Sequence, residues 1–410
     1  MTENDNGANC TGDEEIRNLS DLLVNHIGSD KKIVEVQTSR LTAPGENYGS
    51  IMLKLDIGVE GANGGNRQTL HMVAKKIPTL KMIQEIFNIQ VTYKKEVAFY
   101  MTVVPALHEF QREMGIKDVI DCFAKCYGAR ISLDIDSDEV DEDAALILEN
   151  LHTSGYKNVD RLLCFDLSTT RLILKDIANF HATVIALKLK KPEVFQKRVK
   201  AFCSDYIPMK DVVQPLLPIL RRVLEENEKC KPLASKIRAW GEREDERKSR
   251  EPFATLAHCD LWVNNMMQKF VEGVPISNKL VDFQIYNYRS AASDVFFFLF
   301  SSVQLEVLKR CLDSLLKFYH EHFISVLDML KCDTSEFGFD AFLEEMKLEA
   351  EFEFGHALFF STLIVQGKKR KSDLTDHSFD PEQMYKDIND TARRRAWYIT
   401  FECDRRGWLY

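Results

Sequence analysis

The chain has 410 residues, of which 45% are apolar, and a formal net charge of −9. That length and apolar share allow a large buried core and two lobes, and they exclude a disordered chain. The acidic balance leaves no basic footprint, so neither nucleic acid nor an anionic membrane is expected as a partner.

The N-terminus stays polar through Glu15, with neither the basic start nor the apolar centre of a secretory signal. The most apolar run, residues 295–303, contains Ser301 and Ser302 and is too short to cross a bilayer. Ten cysteines are scattered without a Cys-x-x-Cys pair, which reads as reduced thiols in a cytoplasmic protein. His320 and His322 stand two apart, on different sides of a helix, which argues against zinc.

Residues 14–27 carry Ile16, Leu19, Leu23 and Ile27 at helical spacing and predict a leader helix. Short β-branched or alternating runs at 33–36, 51–57 and 70–74 then predict strands, the last two joined by the Gly- and Asn-rich residues 58–66 as a hairpin. A helix is expected over 81–107, ending near Pro105. Strands return at 122–133 and 145–148, separated by an acidic run at 134–143 that reads as a solvated loop. After Asn150 the pattern is mainly helical, at 172–188, 212–227, 293–329 and 339–366, interrupted by a β-rich island at 254–285. The charged residues 241–252 read as an exposed linker.

The strongest chemical signal is His258-Cys259-Asp260-Leu261-Trp262-Val263-Asn264-Asn265, followed by Val281-Asp282-Phe283-Gln284. Phosphoryl transfer asks a protein for an acid that orients the attacking hydroxyl and for oxygen ligands that hold magnesium on the phosphates. Asp260 and Asn265 have the spacing of a kinase catalytic loop. A hairpin through Met266-Met267, a turn at 272–275 and a strand at 279–283 would return Asp282 beside Asn265, so that both could bind one hard cation. The competing reading is a surface turn with an asparagine cap.

Partners stand upstream in the required order. Lys75 closes the strand Met72-Val73-Ala74-Lys75-Lys76 and is a candidate for gripping nucleotide phosphates. Lys76 is a rival, but Lys75 shares a strand face with Val73. Glu96 is the candidate helix carboxylate to pair with the lysine. Gly45-Glu46-Asn47-Tyr48-Gly49-Ser50 is a candidate nucleotide loop, with Tyr48, Gly49 and Ser50 nearest the following strand; an ordinary turn is the alternative. Residues 146–151 run into a crossover at Glu149 and Leu151, where adenine would bond to backbone. His181 reads as a satisfied core histidine, and Asp294 as a structural carboxylate that caps a helix and holds the catalytic loop.

In order, Val-Ala-Lys75-Lys-Ile-Pro, Lys-Glu96-Val-Ala-Phe-Tyr, Leu-Glu149-Asn-Leu, Phe-His181-Ala, the 258–265 loop and Val-Asp282-Phe-Gln resemble the ecdysteroid kinase-like (CHK kinase-like) family, related to choline kinases and aminoglycoside phosphotransferases. The resemblance runs from about Tyr48 onward. It implies an α+β, bilobal protein-kinase-like fold: an antiparallel β-sheet N-lobe with one main helix, and a mainly helical C-lobe. The lobes would span 1–148 and 152–410, with a hinge at 149–151. It implies an enzyme that uses ATP and Mg2+ to phosphorylate a small-molecule alcohol, ecdysteroids being the named precedent. Asp260, Asn265 and Asp282 would be catalytic, the latter two holding the metal. The family's loop usually reads His-Gly-Asp, whereas here the middle residue is Cys259, a side chain where glycine's freedom is normally used. A catalytically silent binding protein of the same fold is the second reading. A protein kinase is the third, disfavoured because the stretch between Asp282 and Val295 leaves no room for a long activation segment.

Overall fold

The computed structural model describes residues 15–28, 30–41, 50–61, 67–204, 214–239, 241–365 and 380–409. By packing, the chain divides into one unit of Met1–Val97 with Lys125–Ser154, and a second of Ala98–Ala124 with Gly155–Tyr410. Sequence alone assigns residues 98–124 to the first lobe. They belong to the second unit because Phe99 and Phe123 enter its aromatic core, where Phe99 meets Phe180 and Phe283 and Phe123 meets the same two rings.

The first unit is built on an antiparallel five-stranded sheet. Its strands are β1 (Lys31–Arg40), β2 (Ile51–Gly61), β3 (Gln68–Lys76), β4 (Cys126–Arg130) and β5 (Ala145–Glu149), ordered β1-β2-β3-β5-β4. Alternation on β2 turns Leu53, Leu55 and Ile57 to one face. There they pack with Met72, Ala74, Ala145 and Ile147 against Leu19, Leu23 and Ile27 of the leader helix Leu19–Ile27. Gly128 of β4 admits this helix, since a Cβ there would run into the Leu22 carbonyl. The acidic loop is mostly exposed, as expected of a solvated one, and is pinned where Ser132 donates to Asp141 at 2.6 Å and Lys94 pairs with Asp138 at 3.1 Å.

The helix expected to end near Pro105 runs on. After Ile89–Ala98 comes a wide turn, Phe99–Val103, and then Val104–Glu113. The wide turn puts Pro105 in the first turn of the following segment, where its missing N–H is no loss.

The second unit is mainly helical. Its long helices are Leu167–Lys190, Leu305–Met329 and Phe339–Phe359, and the helix Ala291–Ser302 is buried along its whole length. Within it lie β6 (Tyr156–Lys157), β7 (Ala254–Ala257), β8 (Met266–Val271), β9 (Val274–Leu280) and β10 (Asn287–Ser290). Strands β8 and β9 are joined by Glu272 and Gly273, both at positive φ (50° and 80°), the tight turn whose twist suits an antiparallel pair. Together the two units make the protein-kinase-like α+β fold. Among the described residues no helix is long and apolar enough to cross a membrane.

The stretch read as an exposed linker is anchored instead. Arg247 is buried, pairs with Glu349 and with Glu353 (2.6 Å), and donates to Ser293 at 2.8 Å; Arg250 engages Glu345 at 3.1 Å. Charge density in the sequence concealed this because the complementary acids lie about a hundred residues downstream, on Phe339–Phe359. Gly355 on that helix lets the chain pass closely, since a Cβ would strike the Arg238 carbonyl.

The β8–β9 hairpin is fastened to Leu167–Lys190 by a polar chain. Gln268 Nε2 donates to Asn278 Oδ1 at 2.9 Å, and Asn278 Nδ2 donates to Asp176 Oδ2 at 3.1 Å. Burial pushes the Asp176 carboxyl up to about 7, against smaller opposing pulls from Asn278, Lys175 and Lys279. A carboxyl raised on folding contributes stability that is complete below its ordinary value near 4 and is lost as pH rises through 7. Asp176→Asn is therefore expected to gain on the parent as pH rises from about 4 to about 7, by at most about 1.4 kcal/mol per pH unit and roughly 2–4 kcal/mol in all, with no further gain above that. Denaturant melts across that range check this; a difference independent of pH would contradict it.

Candidate active site

In the first unit, β3 carries Lys75 opposite Met52 of β2 and Leu146 of β5. Because Met72 and Ala74 face the leader helix, Lys75 points to the other face. There its Nζ lies 2.6 Å from Glu96 Oε2, with both side chains almost fully buried (6% and 2% exposed). Tyr93, one helical turn before Glu96, donates its hydroxyl to the Lys75 carbonyl at 2.8 Å and pins the strand end. Lys76, the rival, turns to the opposite face and donates to the Glu15 carbonyl at 2.9 Å.

At the end of β5, Glu149 spends its side chain on its own turn: Ser154 Oγ donates to it at 2.6 Å and the Lys125 amide at 3.4 Å. The Asn150 and Leu151 side chains are buried. Ser50 precedes β2 and is partly exposed, while Tyr48 and Gly49 lie outside the described residues.

In the second unit, β7 delivers the loop at 258–265 and the hairpin returns residues 281–283 to it. Asn265 Nδ2 donates to the Asp260 carbonyl at 3.0 Å and to Asp260 Oδ2 at 2.8 Å. With its amide nitrogen so committed, Asn265 has its Oδ1 to offer a cation. The Asn265 carbonyl accepts from the Val281 amide at 3.0 Å, and the Val281 carbonyl accepts from His258 Nε2 at 3.0 Å. Val281 is thus held on both sides, and Asp282 follows it at φ 69°, turning out of the strand.

His258 does this as a neutral ring. Burial lowers its pKa, its Nε2–H donates to Val281, and its Nδ1 accepts the Asp260 amide at 3.3 Å. Phe283 seals the back of the site. It stacks on Phe99 (3.6 Å between centroids, 7° between planes), lies edge-on to Phe123 and Phe180, and sits 4.4 Å from His258.

The Asp260 carboxyl is pushed well above the usual carboxylate range, first by burial and then by the charge of Asp282, with Asn265 pulling the other way. Its Oδ1 is buried and makes no hydrogen bond among the described residues. The loop backbone is anchored from behind by Asp294, whose Oδ2 accepts from the His258 amide at 2.6 Å and whose Oδ1 accepts from the Cys259 amide at 2.9 Å. The cap of the helix Ala291–Ser302 is Ser290, not Asp294 as the sequence suggests. Sequence reasoning missed the parts played by His258 and Val281; the histidine two residues before Asp260 was the available signal.

The backbone bond between Val281 and Asn265 brings Asn265 and Asp282 to the same end of the hairpin, and both carry side-chain oxygens. They suit a hard divalent ion that completes its shell with water and phosphate. Among the described residues no group of three or more His, Cys, Asp or Glu side chains is arranged to hold a metal by itself.

The profile of the Ecdysteroid kinase-like family matches residues 44–332, more than half of the chain. A search of curated proteins found no match. Among solved structures, the choline kinase from Cryptosporidium parvum Iowa II is similar at 13% identity and a TM-score of 0.41, covering 91% of each chain. The Plasmodium vivax ethanolamine kinase is similar at 11% identity and a TM-score of 0.39, covering 91% of this chain and 84% of that one. The GDP complex of wild-type aminoglycoside 2'-phosphotransferase-IIIa is similar at 10% identity and a TM-score of 0.40, covering 95% and 98%.

The buried Lys75–Glu96 pair generates a stability prediction. Removing the lysine charge strands a carboxylate, and breaking such a pair from one side costs about 3–5 kcal/mol, whereas replacing both partners with apolar residues is close to neutral. Lys75→Met should lower the unfolding free energy by roughly 3 kcal/mol, and Lys75→Met with Glu96→Leu should recover most of it. Equal loss in the single and double variants, measured by chemical denaturation, would contradict the pairing.

Proposed function

From the premise that this chain belongs to the ecdysteroid kinase-like family, we propose that it transfers the terminal phosphate of ATP to a hydroxyl of a small molecule. The observation that carries this reading is the Asp260–Asn265 pair. One carboxylate oxygen is held at 2.8 Å by Asn265, while the other is buried and makes no hydrogen bond among the described residues, as a group that accepts a substrate hydroxyl would be.

In this reading Asp260 orients the acceptor hydroxyl and takes its proton as the oxygen attacks phosphorus. Asn265, through Oδ1, and Asp282, through its carboxylate, hold magnesium. The ion, when bound, would neutralise phosphate oxygens and the charge that shifts onto them during transfer. Lys75, kept extended by Glu96, contacts the nucleotide phosphates. Tyr48, Gly49 and Ser50 cover them, and the backbone at Glu149 and Leu151 receives the adenine. His258 and Val281 keep Asp282 turned to its task. There is little covalent chemistry here for the protein, so placement and charge supply the acceleration.

An apolar acceptor, such as an ecdysteroid or another alcohol with a large hydrocarbon body, is supported by Trp262. This half-buried ring stands two residues after Asp260 and meets Phe360 edge to face at 5.6 Å. The same rings could also hold an ammonium group by cation–π attraction, so the panel below includes amino alcohols as the competing acceptor class.

The test is transfer of labelled γ-phosphate to a panel of steroid, terpenoid and amino alcohols. Asp260→Asn should reduce kcat by about 10²–10⁴-fold with nucleotide affinity retained. Activity within tenfold of the parent would remove Asp260 from its role. Nucleotide binding with no transfer to any alcohol would favour a catalytically silent binding protein of this fold.

A further inference from the structure

Helix Phe339–Phe359 runs into a wide turn, Phe360–Ile364, closed by the Val365 amide reaching back five residues to the Phe360 carbonyl at 2.7 Å. Such turns are rare, and an ordinary α-turn competes with them, so a wide one needs a hold from outside the helix. The last carbonyls of a helix have no partner within it. Here the Ile364 carbonyl accepts from Arg161 at 2.7 Å, and the Val365 carbonyl accepts from the same guanidinium nitrogen. A cation at that end also meets the negative pole of the helix.

Arg161 can supply that hold because its own segment is pinned at both ends within the second unit. At one end Asn158 commits its amide nitrogen, donating to the Asn264 carbonyl at 3.0 Å and to the Met266 carbonyl at 3.2 Å, on either side of Asn265. At the other, the Phe165 amide donates to the Ser302 carbonyl at 2.9 Å, and the Phe165 carbonyl accepts from the Gln304 amide at 3.0 Å. Between them Asp160 closes a turn: its Oδ1 accepts from the Leu162 amide and its carbonyl from the Leu163 amide, both at 2.9 Å. The wide turn is therefore fixed in place relative to the loop that carries Asp260 and Asn265.

What the turn carries is Phe360. Its ring lies edge to face on Phe297 (5.0 Å between centroids, 85° between planes) and meets Trp262, two residues after Asp260, at 5.6 Å. We propose that Arg161 is a positioning residue for acceptor specificity: by gripping the end of Phe360–Ile364 it keeps that turn wide, and so keeps Phe360 against Trp262 as one wall beside Asp260. If the turn tightened to α geometry, side chains on one side of it would swing by about 100°, one residue's rotation, relative to the other. Phe360 would leave Trp262, while Asp260, Asn265 and Asp282 kept their places. A guanidinium that merely capped a helix would add stability and leave the choice of acceptor untouched.

That this wall selects the acceptor rests on the proposed phosphotransferase reading; that Arg161 holds Phe360 on Trp262 does not. In the full chain labelled with fluorotryptophan, the Trp262 fluorine resonance, assigned among the four tryptophans by Trp262→Phe, is compared in the parent, Arg161→Ala, Arg161→Lys and Phe360→Leu. Arg161→Ala should move that resonance toward its position in Phe360→Leu and leave the other tryptophan signals in place. Arg161→Lys, which keeps the charge and a donor, should move it less. Where transfer is measurable, Arg161→Ala should raise the acceptor KM about tenfold or more, with nucleotide KM within about threefold. In a Phe360→Leu background the same substitution should change the acceptor KM less than about twofold, because its route is already cut. Should Arg161→Ala fail to fold, Arg161→Lys is read alone, with a shift in the same direction expected. A Trp262 resonance unmoved by the loss of Arg161, or an equal rise in acceptor KM with and without Phe360, would overturn the proposal. Absence of transfer in the parent would count against the proposed function and leave the fluorine resonance decisive for this one.

Discussion

One buried carboxylate organises the second unit's chemistry. Asp294 turns two consecutive amides of the 258–265 loop inward, and every later placement follows from that grip. Hydrogen bonds to an ionised acceptor are the strong ones, and in a buried site the charge cannot be shared with water. Once residues 258 and 259 are fixed, His258 can reach the Val281 carbonyl, Asn265 can reach Asp260 and receive Val281, and Asp282 is carried to the same end of the hairpin. The site is a chain of dependent contacts more than a set of separately placed residues.

That chain has a rigid backing. The helix bearing Asp294 is buried along all of Ala291–Ser302, and its next-door Ser293 is drawn into the Arg247, Glu349 and Glu353 cluster. Phe283 locks the residue after Asp282 into a stack of aromatic rings. Polar precision on one side and dense apolar packing on the other leave the loop few alternatives, which allows two left-handed residues, Cys259 and Asp282, to persist next to each other's function.

Much of this was legible in the sequence, and the reasons differ by residue. The strands were visible because β-branched alternation survives in local composition, and the hairpin because Glu272-Gly273 is tight-turn chemistry. The loop stood out because its residue types sit at a fixed spacing that a turn alone would not require. Asp294 could be read as holding the loop, but its cap role could not be told from that of Ser290 four residues earlier. What stayed hidden depends on long-range partners. The Arg247 network looks like a solvated linker until its glutamates, about a hundred residues away, are placed beside it. Pro105 looked like a stop because the wide turn before it has no local signature. The bonds that satisfy His181, to Asp294 and to the Tyr319 hydroxyl, join three separate helices, and no short window contains them.

The account turns on whether Asn265 and Asp282 jointly hold one divalent ion on a nucleotide beside Asp260. Titration of Mn2+ into the full chain, followed by electron paramagnetic resonance with and without ADP, measures this directly. The account predicts a single nucleotide-dependent site per chain that weakens about tenfold or more in both Asn265→Ala and Asp282→Asn, ligand losses that a metal centre registers in affinity. Nucleotide-dependent Mn2+ binding that is indifferent to both substitutions would contradict it.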